Sequence, residues 1–136
     1  MKWLDHRGIL RPHLDLRYRI DWSRPAPSKG AQEVKNFLRD SAFVFSWYEE
    51  YRIPRTRLRI DFLCPELQIA IEFQGEQHNN YVKHMHGSKN GYLNSINRDR
   101  KKSEILEYNE IRLIEIYKED LPLTKKWFRE KHAIFF

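Results

Sequence analysis

Two short apolar stretches each carry an acid where nothing about the local pattern calls for a charge. In residues 57–63, Leu58, Ile60 and Phe62 alternate with Arg57, Arg59 and Asp61. In residues 67–74, Leu67, Ile69, Ile71 and Phe73 alternate with Gln68, Ala70, Glu72 and Gln74. Period-two alternation reads as strands and sets Asp61, Glu72 and Gln74 on the sides away from the apolar core. A turn at residues 64–66, through Pro65, joins the two strands as a hairpin, with Asp61 opposite Ala70 and diagonal to Glu72. Diagonal neighbours lie about 7–8 Å apart at Cα. Two carboxylates so placed can share one hard divalent cation, Mg2+ or Mn2+, which keeps several waters and takes one or two carboxylates. An acid on a solvated sheet face needs no such explanation. Glu72, however, follows Ile69-Ala70-Ile71 in what reads as a central strand, where an uncompensated charge is costly.

The residues around this pair extend the pattern. Gly75 permits an unusual turn at the strand end and brings His78 back towards the acids, where an imidazole can take a proton from an attacking water. A helix is expected from about residue 93 to 109, with Ile96, Asp99, Ser103 and Leu106 on one face. An inward Asp99 needs a partner. Its neighbours Arg98, Arg100, Lys101 and Lys102 form a basic patch suited to phosphates. The polar loop at 79–92, which holds Lys83 and Lys89, and Arg59 on the first strand add to that surface. A zinc-stabilised module using His78, His84, His86 and an acid is the competing use of these histidines. It is disfavoured because structural zinc sites usually contain cysteine.

The elements that must position these groups follow from periodicity. Residues 13–22 alternate strictly and read as a half-buried strand; the prolines of residues 24–28 then break the chain. We therefore divide the sequence into an N-terminal arm, 1–27, and a main body, 28–136. Ser28 caps a helix to about Arg39 with Val34, Phe37 and Leu38 inward. Residues 43–53 read as a strand, 111–117 as a buried strand, and 124–132 as a short helix before the apolar tail. This order predicts an α/β (α+β) fold with a central mixed β-sheet flanked by helices.

Composition narrows the partners. At 136 residues the chain makes one domain, and 25 Lys plus Arg against 19 Asp plus Glu give a net charge of +6. Such a balance favours a polyanion, nucleic acid above all. Cys64 is the sole cysteine, so an internal disulfide and a Cys-based zinc cluster are both excluded, in keeping with a reducing, cytoplasmic setting. The first residues lack the apolar run of a signal peptide, and no stretch is long and apolar enough to cross a membrane. Arg17, Arg19 and Arg24 suit a nucleic-acid backbone; the alternating arm can pair with an edge of the main sheet or, in a homodimer, with a second copy of the chain, and the Phe135-Phe136 tail suits a docking or dimer contact.

Taken in series, Ile60-Asp61-Phe62, Ile71-Glu72-Phe73-Gln74-Gly75-Glu76-Gln77-His78, Arg98-Asp99-Arg100-Lys101-Lys102 and Ile111-Arg112-Leu113-Ile114-Glu115-Ile116 form a pattern. It resembles the branch of the PD-(D/E)XK nucleases that includes very-short-patch-repair endonucleases and phage homing endonucleases. The likeness covers roughly residues 28–118. It implies a restriction-endonuclease-like fold and a metal-dependent endonuclease acting on DNA. Carried over, Asp61 and Glu72 are the metal-binding acids, with Phe73 beside them at the metal; His78 is the catalytic histidine, Asp99 the downstream acid, and Glu33 a helical acid of the site. Gln74 stands where the wider superfamily has Lys, which rests the general-base role on His78. It also leaves a non-cutting, nucleic-acid-binding relative of the same fold as the alternative.

Overall fold

The computed structural model describes residues 3–4, 10–11, 15–54, 56–76 and 89–136. Near the start, β1 (Trp3–Leu4) and β2 (Leu10–Arg11) pair antiparallel as a separate two-stranded sheet. The first helix, α1 (Lys29–Ser41), begins at Ser28, whose side chain accepts the Ala31 N–H and satisfies one orphan donor of the first turn. It buries Ala31, Val34, Lys35 and Leu38. Four strands follow in the spatial order of their sequence: β3 (Tyr48–Arg52), β4 (Arg59–Cys64), β5 (Ile69–Gly75) and β6 (Arg112–Tyr117). β4 runs antiparallel to both β3 and β5, and β6 lies parallel to β5. A parallel neighbour requires a crossover. Here the crossover contains α2 (Lys89–Tyr108), and α3 (Lys125–His132) ends the chain's regular structure. The expected mixed sheet between helices, an α+β fold, is thus observed.

Both faces of the sheet are covered. On one, Phe62, Ile69, Ile71, Ile114 and Ile116 pack with Val34 and Leu38 of α1 and with Phe128 and Ile134 at the C-terminal end. Phe37 stacks on Phe128 at 5.2 Å between ring centroids, tying α1 to α3. On the other, Leu63 and Ala70 pack with Ile105 and Leu106 of α2 and with Ile111. The face expected to lie away from the core, which carries Asp61 and Glu72, therefore has a core of its own.

Three local expectations are corrected. Residues 13–22 do not form a strand: within the described part, the Asp15 side chain accepts the Arg17 N–H and closes a 3-10 turn at Leu16–Tyr18. This local side-chain bond offers the backbone an alternative to a ladder. Only Arg19 bridges to Tyr48, and the Ile20 N–H bonds the Trp47 carbonyl at 3.0 Å. The strand expected over 43–53 begins only at Tyr48, because Phe43 and Val44 turn outward, 62% and 84% exposed. The hairpin between β4 and β5 closes later than a turn at 64–66 allows. Its turn runs through residues 65–68, with the Gln68 N–H on the Pro65 carbonyl and Gln68 left-handed at φ 53°.

One buried polar network holds the α1 side together. Lys35 and Glu49 are 1% and 4% exposed, and Lys35 Nζ lies 2.8 Å from Glu49 Oε2. The same ammonium donates to the carbonyls of Asp21 at 2.7 Å and Arg24 at 2.6 Å, using all three donors. Glu49 Oε1 accepts from the Arg24 guanidinium at 2.7 Å and from the Asp21 N–H at 3.1 Å. Residues 21–24, expected to belong to an arm, are pinned between α1 and β3. Removing one partner strands the other charge without water. Lys35→Ala should therefore lower the free energy of unfolding by about 3–5 kcal/mol, read from urea denaturation. A loss below about 1 kcal/mol would place this pair among interactions worth no more than a surface bridge.

Candidate functional site

The antiparallel register of β4 and β5 pairs Phe62 with Ile71, Leu63 with Ala70 and Cys64 with Ile69. Continued by one position, it sets Asp61 directly across from Glu72, not diagonal to it. The later turn shifts the pairing by two residues, which preserves the faces and brings the two carboxylates together. The Asp61 N–H lies 3.4 Å from Glu72 Oε2, and the Phe73 N–H donates to Asp61 Oδ2 at 2.9 Å. Glu72 is 6% exposed. Lys102, reaching down from α2, donates to Glu72 Oε1 in a short charge-assisted bond.

Two further packing details fix these groups. Gly30, in the first turn of α1, has no side chain because Phe73 occupies that space. A Cβ there would lie 2.0 Å from the Phe73 ring. Phe73 is thus locked onto α1 by its ring, leaving only its main chain to serve the acid pair. Lys102 shares its stripe of α2 with the buried Ile105 and Leu106, so its stem runs along apolar surface to reach Glu72.

Other sequence-derived residues fall elsewhere. Asp99 is exposed, not inward: the packed stripe of α2 is Lys102, Ile105 and Leu106, continued by Asn109 just past its end, and Ile96 and Ser103 are exposed as well. Among the described side chains of the helix, those packed towards the sheet begin at Lys102, so a face drawn through Ile96 and Ser103 fails. Glu33 is exposed on α1 and borders a recess of about 420 Å³ with Asn36, Phe37, Asp40 and Leu123, which neither Asp61 nor Glu72 lines. Gln74 is exposed at the end of β5, where the pairing with β6 slips between Phe73 and Gly75. Arg59 is exposed and sits 3.9 Å from Glu50. Arg98, Arg100 and Lys101 are exposed on α2. His78 and Lys83, with His84 and His86 and the side chain of Lys89, lie outside the described residues.

The register also exposes a feature that sequence reading missed. Glu50 falls across from Asp61 between the β3–β4 partners Glu49↔Phe62 and Tyr51↔Ile60, and Glu72 is paired with Glu115 on β6. Four acids therefore form one row across the sheet. Glu50 is held in a left-handed conformation at φ 46°, and Glu115 accepts the Tyr117 hydroxyl at 2.7 Å. Among the described residues no group of three or more His, Cys, Asp or Glu is arranged to hold a metal ion, so the centre of the row is the Asp61–Glu72 pair.

Comparison with known proteins adds one relative. Uncharacterized protein 307L of Invertebrate iridescent virus 6 is 34% identical over 59 residues, which make up 43% of this chain and 30% of that protein. The match thus spans under a third of the viral protein's length. No protein-family model and no solved structure matches the chain.

The electrostatics of the pair point to missing positive charge. Burial, and then the neighbouring Asp61 carboxylate, push the Glu72 carboxyl up to about 7, although Lys102 pulls the other way. Burial also raises Asp61, against the Phe73 N–H and Lys102. Two carboxylate oxygen donors with a net excess of negative charge are a fitting partial ligand set for Mg2+ or Mn2+, which would complete its shell with water. A carboxyl raised on folding binds a proton that the unfolded chain releases, so it stabilises most below the ordinary value of 4.5 and loses that contribution as pH rises through about 7. Metal-free protein should accordingly show a falling urea midpoint between pH 5 and pH 7.5, and Glu72→Gln should flatten the fall. An equal slope in wild type and variant would remove Glu72 as its source.

Proposed function

We propose that this protein is a metal-dependent endonuclease that hydrolyses phosphodiester bonds in DNA, on the plan of the PD-(D/E)XK enzymes its motifs resemble. The observation that carries the reading is the Asp61–Glu72 pair, set across two central strands with Glu72 buried, Asp61 half-buried and Lys102 bonded to Glu72. The net charge of +6 supports a polyanionic substrate. Asp61 and Glu72 would hold the divalent cation, which when bound supplies Lewis-acid polarisation of a phosphoryl oxygen. Lys102 is placed to oppose the negative charge that gathers on the phosphate as the bond breaks. The Phe73 N–H orients the Asp61 carboxylate and so fixes the direction from which Asp61 acts. His78 retains the role of proton acceptor that the motif implies.

A second reading, a nucleic-acid-binding relative that does not cut, has one observation in its favour. Lys102 already pairs with Glu72, and Glu33 and Asp99 are exposed. Incubation with supercoiled plasmid separates the two. Cleavage is expected with Mg2+ or Mn2+, none with EDTA, and Asp61→Asn should slow it on the order of a hundredfold or more while leaving the fold intact by circular dichroism. Binding without cleavage under either metal would support the second reading. Cleavage that survives Asp61→Asn would take the pair out of the chemistry.

A further inference from the structure

The basic run on α2 is not one surface. The helix has 20 residues, and its packed side is defined by Lys102, Ile105 and Leu106, while every described side chain from 93 to 101 is exposed. At 100° per residue, Arg98 falls about 40° from Lys102 and one turn, about 6 Å, nearer the N-terminus. α2 runs antiparallel to β5: Lys102 meets Glu72, and Ile105 and Leu106 pack with Ala70 further back. One turn before Lys102 therefore lies over the rim of the sheet, beyond Glu72, where β5 ends at Gly75. Arg100 points about 160° away from Lys102. It sits 4.0 Å from Glu104 on the outer side of the helix. Lys101 is turned about 100° away. Asp99, about 60° from Lys102 on the other flank, is exposed and leaves the Arg98–Lys102 stripe net positive. Arg98 forms no ion pair with a described residue, whereas Lys102 is engaged with Glu72.

We infer that Arg98, and not Arg100, is the positioning residue that holds a backbone phosphate of DNA at the rim, adjacent to the phosphate presented to Asp61 and Glu72. This rests on the nuclease reading for what happens at the acid pair, but the contact itself is a binding contact that needs no cleavage. A guanidinium suits it because it offers a planar fork of donors to phosphate oxygens. Held one turn, about 6 Å, from Lys102, it sets the reach of the strand: one phosphate on Arg98 leaves a neighbouring phosphate of the same strand to face the carboxylates.

The test separates this contact from the chemistry. Affinity for a fluorescein-labelled DNA duplex is measured in EDTA, where no cutting occurs, across a series of salt concentrations, for wild type, Arg98→Ala, Arg98→Lys and Arg100→Ala. Arg98→Ala should weaken binding about tenfold at low salt and reduce the slope of log affinity against log salt by about 0.9, the loss of one phosphate contact. Arg98→Lys should recover the slope and part of the affinity, and Arg100→Ala should have the smaller effect on both. Equal effects of Arg98→Ala and Arg100→Ala would overturn the inference in favour of diffuse charge along the helix, as would an unchanged slope in Arg98→Ala. Plasmid cleavage by wild type, scored separately, reports on the nuclease reading. Absent cleavage with the expected Arg98 slope change would refute that reading while upholding the contact.

Discussion

A carboxylate on the central strand of a doubly covered sheet is the constraint around which the rest is arranged. Glu72 has a strand on either side, α2 above it and the α1 layer beneath. Water cannot stabilise its charge there, and Asp61 across the pair makes matters worse. The chain answers with a single lysine, Lys102, delivered by a helix whose own apolar contacts, Ile105 and Leu106, are just enough to seat it. The compensation is incomplete, since the Glu72 carboxyl is still driven up to about 7. An arrangement that leaves negative charge unmatched in the middle of a covered strand is expensive as pure scaffold and useful as a cation site.

The opposite layer holds that arrangement still. The Phe73 ring fills the space at Gly30, and its N–H donates to Asp61. α1 is itself fastened through Lys35, whose hydrogen bonds to the Asp21 and Arg24 carbonyls and ion pair with Glu49 bind residues 21–24 to the body. Two buried charge pairs, one on each side of the sheet, therefore serve different ends. The Lys35–Glu49 pair is fully hydrogen-bonded and structural. The Lys102–Glu72 pair shares its acid with Asp61 and faces the rim.

Much of this was legible in the sequence, and the exceptions have a common cause. Alternation in residues 57–63 and 67–74, the apolar run from Ile111, and the Ser28 cap pointed to β4, β5, β6 and α1, because each is dictated by burial or by a local hydrogen bond. The acid pair was legible as two residues on one face. Its direct opposition was not, since a left-handed Gln68 in the turn sets the register and no pattern rule demands it. Lys102 was read as part of an outward basic patch, because amphipathic reading treats lysine as outward; only the tertiary structure shows that buried glutamates await Lys102 and Lys35. That same habit turned the α2 stripe towards Asp99. Residues 13–22 alternate as a strand should, yet Asp15 closes a local turn that competes with the ladder. Glu115 enters the acid row only through strand pairing, which no single segment encodes.

The central claim, that Asp61 and Glu72 form a divalent-cation site, is tested most directly by calorimetric titration of the protein with Mn2+ in two buffers of different ionisation heat. Because Glu72 is raised to about 7 in the metal-free protein, binding at pH 6.5 should release protons. The account predicts one site, tighter at pH 8 than at pH 6, with a fractional proton released near neutrality and both features lost in Glu72→Gln. Binding that is absent at every pH, or that keeps its affinity and proton release in Glu72→Gln, would contradict it.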